Sequence, residues 1–405
     1  MTINLFKGTR IIVGVSGSIA AYKAADLASR LTQAGADVDA ILTESALKFV
    51  TPLTFQSVTG RRAYTDADLW GAEAHVLHVG LARGASLVVV APATANTIAR
   101  LAHGQADNLL TIVALAAECP LVAAPAMDAG MFSHPATQEN LEILQRRGAR
   151  IAGPVSGHLA SGLEGPGRMI EPAEILGFIR LTLGRNGGLA DRSVVVTAGG
   201  THEAIDPVRV IANRSSGKQG FALAQAALDR GAQVTLISGP VSLPTPAGAT
   251  RVDVTTAAEM AAAVHAAIGE ADALLMAAAV ADFRSAQAAG KKIHRSAGTP
   301  SITLEPTEDI LEAVIEQRAR TGHPRVVVGF AAESHDLVES ARAKLRSKGL
   351  ALIVANDILS QDSGFARDDN RVTLLDSDDT VQELPLMSKT DVAEVVIDRL
   401  ERMLA

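Results

Sequence analysis

The chain has 405 residues, of which 48% are hydrophobic and 20% charged, and its formal net charge is −7. That balance supplies two cores of a soluble protein, and the negative sign excludes the broad basic face that general nucleic-acid or anionic-membrane binding needs. The one cysteine, Cys119, excludes an intrachain disulfide and a cysteine zinc site; with no apolar run of spanning length and no leader pattern, a cytoplasmic protein is expected.

Short Val/Ile-rich runs alternate with segments of helical period. Residues 10–15 predict a strand, 18–33 a helix with Leu27 and Leu31 on one face, and 38–43, 86–91 and 122–125 further strands. This is the βαβ rhythm of a parallel sheet covered on both faces. The four glycines and one proline of 156–169 predict a long loop of the kind that forms flaps over sites. A helix over 173–183 and the linker 184–188 follow, which divides the chain into domains 1–190 and 191–405. The second series predicts strands at 193–196, 233–237, 273–278, 325–330 and 350–354. Its helices fall at 217–230, 257–268, 310–318 and 337–348, with a closing amphipathic helix at 389–404. Residues 284–303 read as a long polar loop carrying Lys291, Lys292, His294 and Arg295. The expected fold is α/β, two doubly wound Rossmann-like domains.

Neither half contains G-x-G-x-x-G, so the NAD-type fingerprint is absent. The turn Gly14-Val15-Ser16-Gly17-Ser18 suits the phosphate of a mononucleotide. The densest stretch is 197–220, TAGGTHEAIDPVRVIANRSSGKQG. An apolar run ends there in two glycines, then Asp206, Arg209 and Asn213 precede a second small-residue turn, Ser215-Ser216-Gly217-Lys218. Glycines let backbone N–H groups approach an anion, and a helix starting near Gly217 adds its positive end. Such a site handles nucleotides or phosphorylated substrates.

This stretch resembles the signature of phosphopantothenate–cysteine ligases, and the rest of the second half is similar to that family. The segment Met276 to Phe283 matches the strand end that receives base and ribose, and Gly329 to Glu333 matches the next strand end. Lys292 matches the lysine of the basic loop, and Ala355-Asn356-Asp357 closes the pattern. The resemblance implies that CTP activates 4′-phosphopantothenate as an acyl-cytidylate, with Mg²⁺, and that cysteine then displaces CMP. It implies CTP contacts from Ala277, Ala278, Asp282, Lys292, Glu308, Asp309, Ile310, Phe330, Lys344 and Lys348, and a catalytic role for Asn213 and Lys292. Lys344 and Lys348 are four apart, one face of a helix. Glu308 stands where family members often carry proline, which adds negative charge near the nucleotide. No metal ligands are assigned.

Residues 1–170 resemble phosphopantothenoylcysteine decarboxylases, which are FMN proteins of flavodoxin-like fold. The matching stretches run from Gly14 to Lys23, Phe49 to Leu53, Ala91 to Thr97 and Pro125 to Met127. The resemblance implies that Ser16, Gly17, Ser18, Thr43, Ala93, Thr94, Asn96 and Thr97 hold FMN, and that His78, not His75, is the catalytic histidine. In that family FMN oxidises the cysteine moiety to a thioaldehyde, CO₂ leaves, and the enethiol is reduced again with a proton from a flap cysteine. Two positions depart: Asp128 replaces the asparagine of Pro-x-Met-Asn, and Ser161 replaces the flap cysteine. An ionised aspartate cannot donate to the substrate carboxylate, and serine is a far weaker acid than cysteine. His158, three residues before Ser161, is a further acid–base group in the flap.

Together the resemblances imply a bifunctional enzyme of coenzyme A biosynthesis that ligates cysteine to 4′-phosphopantothenate and decarboxylates the product to 4′-phosphopantetheine. The alternative is an active ligase fused to an FMN-binding domain with slow or lost decarboxylation, motivated by Asp128 and Ser161. A flavin-binding electron carrier is opposed by the nucleotide-type residues of the second half. The partners expected are 4′-phosphopantothenate, cysteine and CTP, with no nucleic acid and no membrane. A homo-oligomer is implied by resemblance alone.

Overall fold

The computed structural model describes residues 5–70, 76–294, 301–333, 337–357 and 368–405. His75 and Arg295 lie outside the described residues. Contacts divide the chain into two compact units, Asn4–Gly184 and Arg185–Ala405.

In the first unit, strands β1 (Arg10–Val15), β2 (Asp37–Leu42), β3 (Ala63–Thr65), β4 (Leu87–Ala93), β5 (Leu121–Pro125) and β6 (Arg150–Ile151) form one parallel sheet. Its order is β3-β2-β1-β4-β5-β6. Without the three-residue edge strand β3 this is the 2-1-3-4-5 order of flavodoxin-like folds. Strand residues alternate between two cores. Ile11, Val13 and Val15 face one, Ile12 the other; Leu87 and Val89 face the first, Val88 and Val90 the second. Helices α1 (Ala21–Gln33), α2 (Pro52–Thr59), α3 (Leu77–Arg83), α4 (Ala95–His103), α5 (Leu109–Ala116), α6 (Ala129–Ser133), α7 (Pro135–Arg146) and α8 (Pro172–Gly184) complete the unit. Leu27 and Leu31 of α1 and Ile175 and Ile179 of α8 fill the first core, Ile98 of α4 and Leu141 of α7 the second. Each such side chain that is fully buried contributes about 1.5–3 kcal/mol, and Leu141, slightly exposed, somewhat less.

Two expectations need correction here. Helix α1 starts at Ala21, not Ser18, because Ser18 turns the chain: its C=O accepts from Ala21 N at 2.9 Å. Residues 156–169 are not a loop but a hairpin, β7 (Val155–His158) with β8 (Glu164–Arg168). Glu-Gly-Pro-Gly-Arg has no β-branched residue, so strand propensity is silent there, and the paired strands supply the ladder themselves.

In the second unit, β9 (Ser193–Ala198) is followed by a small hairpin, β10 (His202–Ala204) with β11 (Val210–Ala212). Strands β12 (Gln233–Ser238), β13 (Thr250–Asp253) and β14 (Ala273–Met276) come next, then the pair β15 (Phe283–Ser285) and β16 (Leu304–Pro306). The last large strands are β17 (Val326–Glu333) and β18 (Leu352–Asp357), then the short β19 (Asp369–Asn370), β20 (Val372–Asp376) and β21 (Val381–Glu383). The main sheet has the order β13-β12-β9-β14-β17-β18-β20-β21. From β13 to β18 every pairing is parallel, and β20 and β21 extend it antiparallel. Its helices are α9 (Lys218–Leu228), α10 (Ala257–Ala267), α11 (Ile310–Thr321), α12 (Leu337–Ser347) and α13 (Lys389–Leu404). Helices α10, α11 and α12 cover one face through Met260, Val264, Val314 and Leu345. Helices α9 and α13 pack together and against the strands.

The strand expected over 273–278 ends at Met276. Side-chain hydroxyls and a neighbouring carbonyl take over its backbone: Ala278 N donates to Thr197 Oγ1 (3.1 Å), Ala279 N to Gly199 O (2.8 Å) and Ala281 N to Thr201 Oγ1 (2.9 Å). Lys348 lies just beyond the end of α12. Among the described residues no helix is long and apolar enough to cross a membrane.

Candidate functional sites

In both units the sheet order reverses between two central strands, β1 and β4 in the first and β9 and β14 in the second. Connections there leave in opposite directions and open a crevice at the carboxyl ends of the strands. Both candidate sites lie in these crevices.

The crevice of the first unit holds a cavity of about 640 Å³ lined by Ser16, Gly17, Ser18, Thr43, Thr94, Asn96 and Thr97. Ser16 locks the β1 and β4 turns together: its Oγ donates to Pro92 O at 2.7 Å and accepts from Thr94 N at 3.0 Å. Thr94 caps α4, its side chain accepting from Thr97 N, and the helix end faces the cavity. Gly17 is required by close approach, since a Cβ there would stand 2.4 Å from the Ser45 Cβ. Ala93 is buried at the end of β4 and does not line the cavity. His78 sits in the first turn of α3, half-buried, and lines neither cavity of this unit described here.

A second cavity of about 390 Å³ shares Ser18, Ile19, Ala126 and Met127 with the first. It brings together Asp128, His158 and Ser161. The two departures from the family pattern touch each other: Ser161 Oγ donates to Asp128 Oδ2 at 2.6 Å. Gly130 N donates to Asp128 Oδ1 at 3.0 Å. The Ser161 hydroxyl first, and then the Gly130 N–H, hold the Asp128 carboxyl below the usual carboxylate range. Lys23 also lines this cavity, a residue that reasoning from sequence assigned only to a matching stretch. Its Nζ donates to Glu171 Oε1 (2.7 Å) and Met169 O (3.1 Å), and the Lys23 bond lowers the Glu171 pKa.

The crevice of the second unit is larger, about 730 Å³. It gathers Asn213, Ala277, Ala278, Asp282, Glu308, Asp309, Ile310, Phe330 and Lys344. Asn213 Nδ2 donates to Val280 O at 2.9 Å, tying the loop before α9 to the segment after β14. Gly217 begins α9 at φ +74°, a conformation open to glycine, so that the first N–H groups of the helix border the cavity. Asp309 caps α11, accepting from Leu311 N and Glu312 N. Asn356 Oδ1 is buried without a hydrogen-bond partner among the described residues, an acceptor available to a ligand N–H.

Two expected lysines are placed elsewhere. Lys348 Nζ donates to Asp309 Oδ2 and Glu312 Oε1, both at 2.8 Å, and does not line the cavity. The Asp309 bond first, and then Glu312, raise its pKa. Lys292 is exposed and outside the cavity. Its neighbour Ile293 fastens that stretch to the β10–β11 hairpin: Ile293 N donates to Asp206 Oδ2 (3.1 Å), and Arg209 Nη2 to Ile293 O (2.9 Å). The structure also brings Lys218 and Lys389 to the cavity, from the first positions of α9 and α13. Lys218 Nζ meets Asp368 Oδ1 at 2.5 Å. Burial first, and then the Lys218 charge, push the Lys389 ammonium below its ordinary range. Lys218 belongs to the glycine-rich motif and could have been found there; Lys389 carries no local signal.

Residues 4–184 match the family model for Flavoprotein, and residues 189–404 match that for the DNA/pantothenate metabolism flavoprotein C-terminal domain. The coenzyme A biosynthesis bifunctional protein CoaBC of Vibrio vulnificus is 44% identical over 399 residues, 98% of each chain. That of Mycobacterium tuberculosis is 47% identical over 408 residues, 98% of this chain and 97% of the relative.

The chain belongs to the family of coenzyme A biosynthesis bifunctional proteins.

As a member of that family it is an enzyme combining a ligase with a decarboxylase. A crystal structure of the C-terminal domain of a CoaBC protein is 38% identical, covers 54% of this chain and 98% of its own, and has a TM-score of 0.45.

Proposed function

We propose that residues 191–405 join cysteine to 4′-phosphopantothenate at the expense of CTP, and that residues 1–190 bind FMN and decarboxylate the product to 4′-phosphopantetheine. The observation that supports the ligase half most is the convergence of Lys218, Lys344 and Lys389 on the 730 Å³ cavity beside the start of α9. Attack of a carboxylate on a nucleoside triphosphate brings anions together and expels pyrophosphate, so cations at that point stabilise the transition state more than the ground state. Asp282, Phe330 and the backbone of Ala277 and Ala278 hold base and ribose in this reading. Asn213 donates its amide to the activated acyl group. We assign Mg²⁺ to the nucleotide phosphates; among the described residues no group of three or more His, Cys, Asp or Glu is arranged to hold a metal.

The hydroxyl-rich rim of the 640 Å³ cavity, the exposed start of α4 and the space left by Gly17 fit a flavin mononucleotide. When bound, FMN supplies the two-electron chemistry on the cysteine thiol. Ser16, Ser18, Thr94, Asn96 and Thr97 hold and orient it. His78, as the resemblance implies, serves the first oxidation, and Asp128 and Ser161 border the reacting end of the substrate. Family membership across residues 4–184 favours this reading over a flavin half without chemistry. A cytoplasmic homo-oligomer belongs to the same proposal.

The test is one incubation of the purified chain with 4′-phosphopantothenate, cysteine, Mg²⁺ and CTP, read by mass spectrometry. Accumulation of 4′-phosphopantetheine is expected. A stop at 4′-phosphopantothenoylcysteine would overturn the decarboxylase assignment, and no product at all the ligase assignment.

A further inference from the structure

The flap of this chain has no cysteine, and its serine is already engaged. Ser161 sits in a turn closed by Gly162 N donating to Leu159 O at 2.9 Å, with Gly162 at φ +82°. From there its hydroxyl donates to Asp128, and that bond holds Asp128 as a carboxylate. A serine hydroxyl gives up its proton only at extreme pH, and an ionised carboxylate has none to give. Of the remaining polar side chains on this cavity, Ser18 is another hydroxyl, Lys23 is bonded to Glu171 and Met169, Arg168 carries a guanidinium that does not deprotonate, and Tyr22 ends in a phenol, by its chemistry a weaker acid than an imidazolium. The remaining titratable side chain on the cavity is His158, the last residue of β7.

We propose that His158 is the proton donor that completes decarboxylation in this chain, replacing the flap cysteine of the family; this rests on the decarboxylase reading above. Hairpin register supports it independently. Glu164 on β8 stands directly opposite His158, so a carboxylate faces the imidazole across the ladder. The other charged groups on its cavity are Asp128 before α6, Arg168 on β8 and Lys23 on α1. Loss of CO₂ leaves an enethiolate, N–CH=CH–S⁻. The imidazolium N–H bond breaks and its proton joins the carbon attached to nitrogen, using the electron pair of the C=C bond. A sulfur lone pair closes C=S, and the thioaldehyde is formed without any change in oxidation state. The imidazole recovers a proton from water. The Asp128–Ser161 bond then has a positioning part, holding the hairpin tip at the cavity so that His158 reaches the substrate.

The experiment supplies 4′-phosphopantothenoylcysteine to the full-length protein with its flavin bound, and compares wild type, His158→Asn, and His158→Asn combined with Ser161→Cys. Wild type releases CO₂ and forms 4′-phosphopantetheine. His158→Asn is expected to keep its flavin and release CO₂ once, then to accumulate the enethiol, two hydrogens short of 4′-phosphopantetheine. Its turnover should fall by about 100-fold or more, the usual worth of a general acid. The cysteine of the double variant is expected to restore turnover. Wild-type turnover in His158→Asn, or loss of the first CO₂ release together with product, would overturn the proposal. Absence of CO₂ from the wild-type protein would instead strike down the decarboxylase reading on which it rests.

Discussion

Arg230 lies just after α9 and joins that helix to α13. Its Nη1 meets Glu394 at 2.8 Å, its Nη2 Asp398 at 2.9 Å and its Nε Glu401 at 3.2 Å, the last without hydrogen-bond alignment. The three carboxylates recur at helical spacing and share one face of α13. Burial works against the Arg230 charge, but Glu394 and Asp398 more than offset it and raise the pKa. In Arg230→Met the cation is lost and Glu394, whose side chain is 9% exposed, stays buried without it. Asp398 and Glu401 are 21% and 32% exposed and can turn to water. The cost is therefore set by removal of the cation from beside one buried carboxylate, about 3 kcal/mol, the lower end of the range for breaking a buried pair. With a urea dependence of about 2 kcal/mol per molar, the unfolding midpoint of the second unit should drop by about 1.5 M. Hydrogen-exchange mass spectrometry of α9 and α13 peptides across a urea series reads this, while flavin release follows the first unit. Adding Glu394→Leu should recover much of the loss, since removing both partners of a buried pair is often nearly neutral. A midpoint shift under about 0.5 M, or a double variant as weak as the single one, would refute the reasoning. Lys218 and Lys389 open the same two helices, so the single variant should also raise the KM for CTP.

Lys218→Met should raise the KM for CTP by roughly 5–30-fold: a charge-assisted phosphate bond of about 1.5–3 kcal/mol is lost, offset by the exposed Asp368 pair that it replaces. An unchanged KM would take Lys218 off the phosphate path. Lys292→Gln is expected, from the resemblance alone, to nearly abolish ligation while flavin content is kept; normal ligation would release Lys292 from the reaction. Gly17→Ala forces the β1 and β2 turns apart at about 1–3 kcal/mol, so the purified protein should carry less flavin, and a full complement would contradict the close-approach argument. Asp206 is held below the ordinary carboxyl range by the Ile293 N–H first, and then by the Val208 and Arg209 N–H groups. Its contribution is therefore present above the unfolded-state value, about 3.9, and is lost as pH falls through the lower folded value. Asp206→Asn should flatten the acid limb of stability against pH, and parallel limbs would show that Asp206 contributes nothing there.

Strands that are buried on both faces were legible because they are short, continuous apolar runs; 10–15 coincides with β1, and 389–404 coincides with α13. The hairpin over 155–168 was not, because apart from Val155 its strand residues have little strand preference, and backbone pairing across the turn, not a side-chain pattern, forms the ladder. Likewise β14 stops at Met276 although apolar residues continue, since hydroxyls of Thr197 and Thr201 from another part of the chain claim the next N–H groups.

For the sites the division is similar. Local chemistry, written in the glycine-rich turns after β1 and β9, marked by itself where each crevice would lie and led to the expectation of an anion there, because small residues and helix starts act over a few positions. The order of strands that makes those turns converge, the meeting of Asp128 with Ser161 across 33 positions, and the arrival of Lys218 and Lys389 at the cavity while Lys348 pairs with Asp309 and Glu312 belong to the tertiary structure. They depend on which distant elements pack together, and a side chain's spacing along the chain carries no record of that.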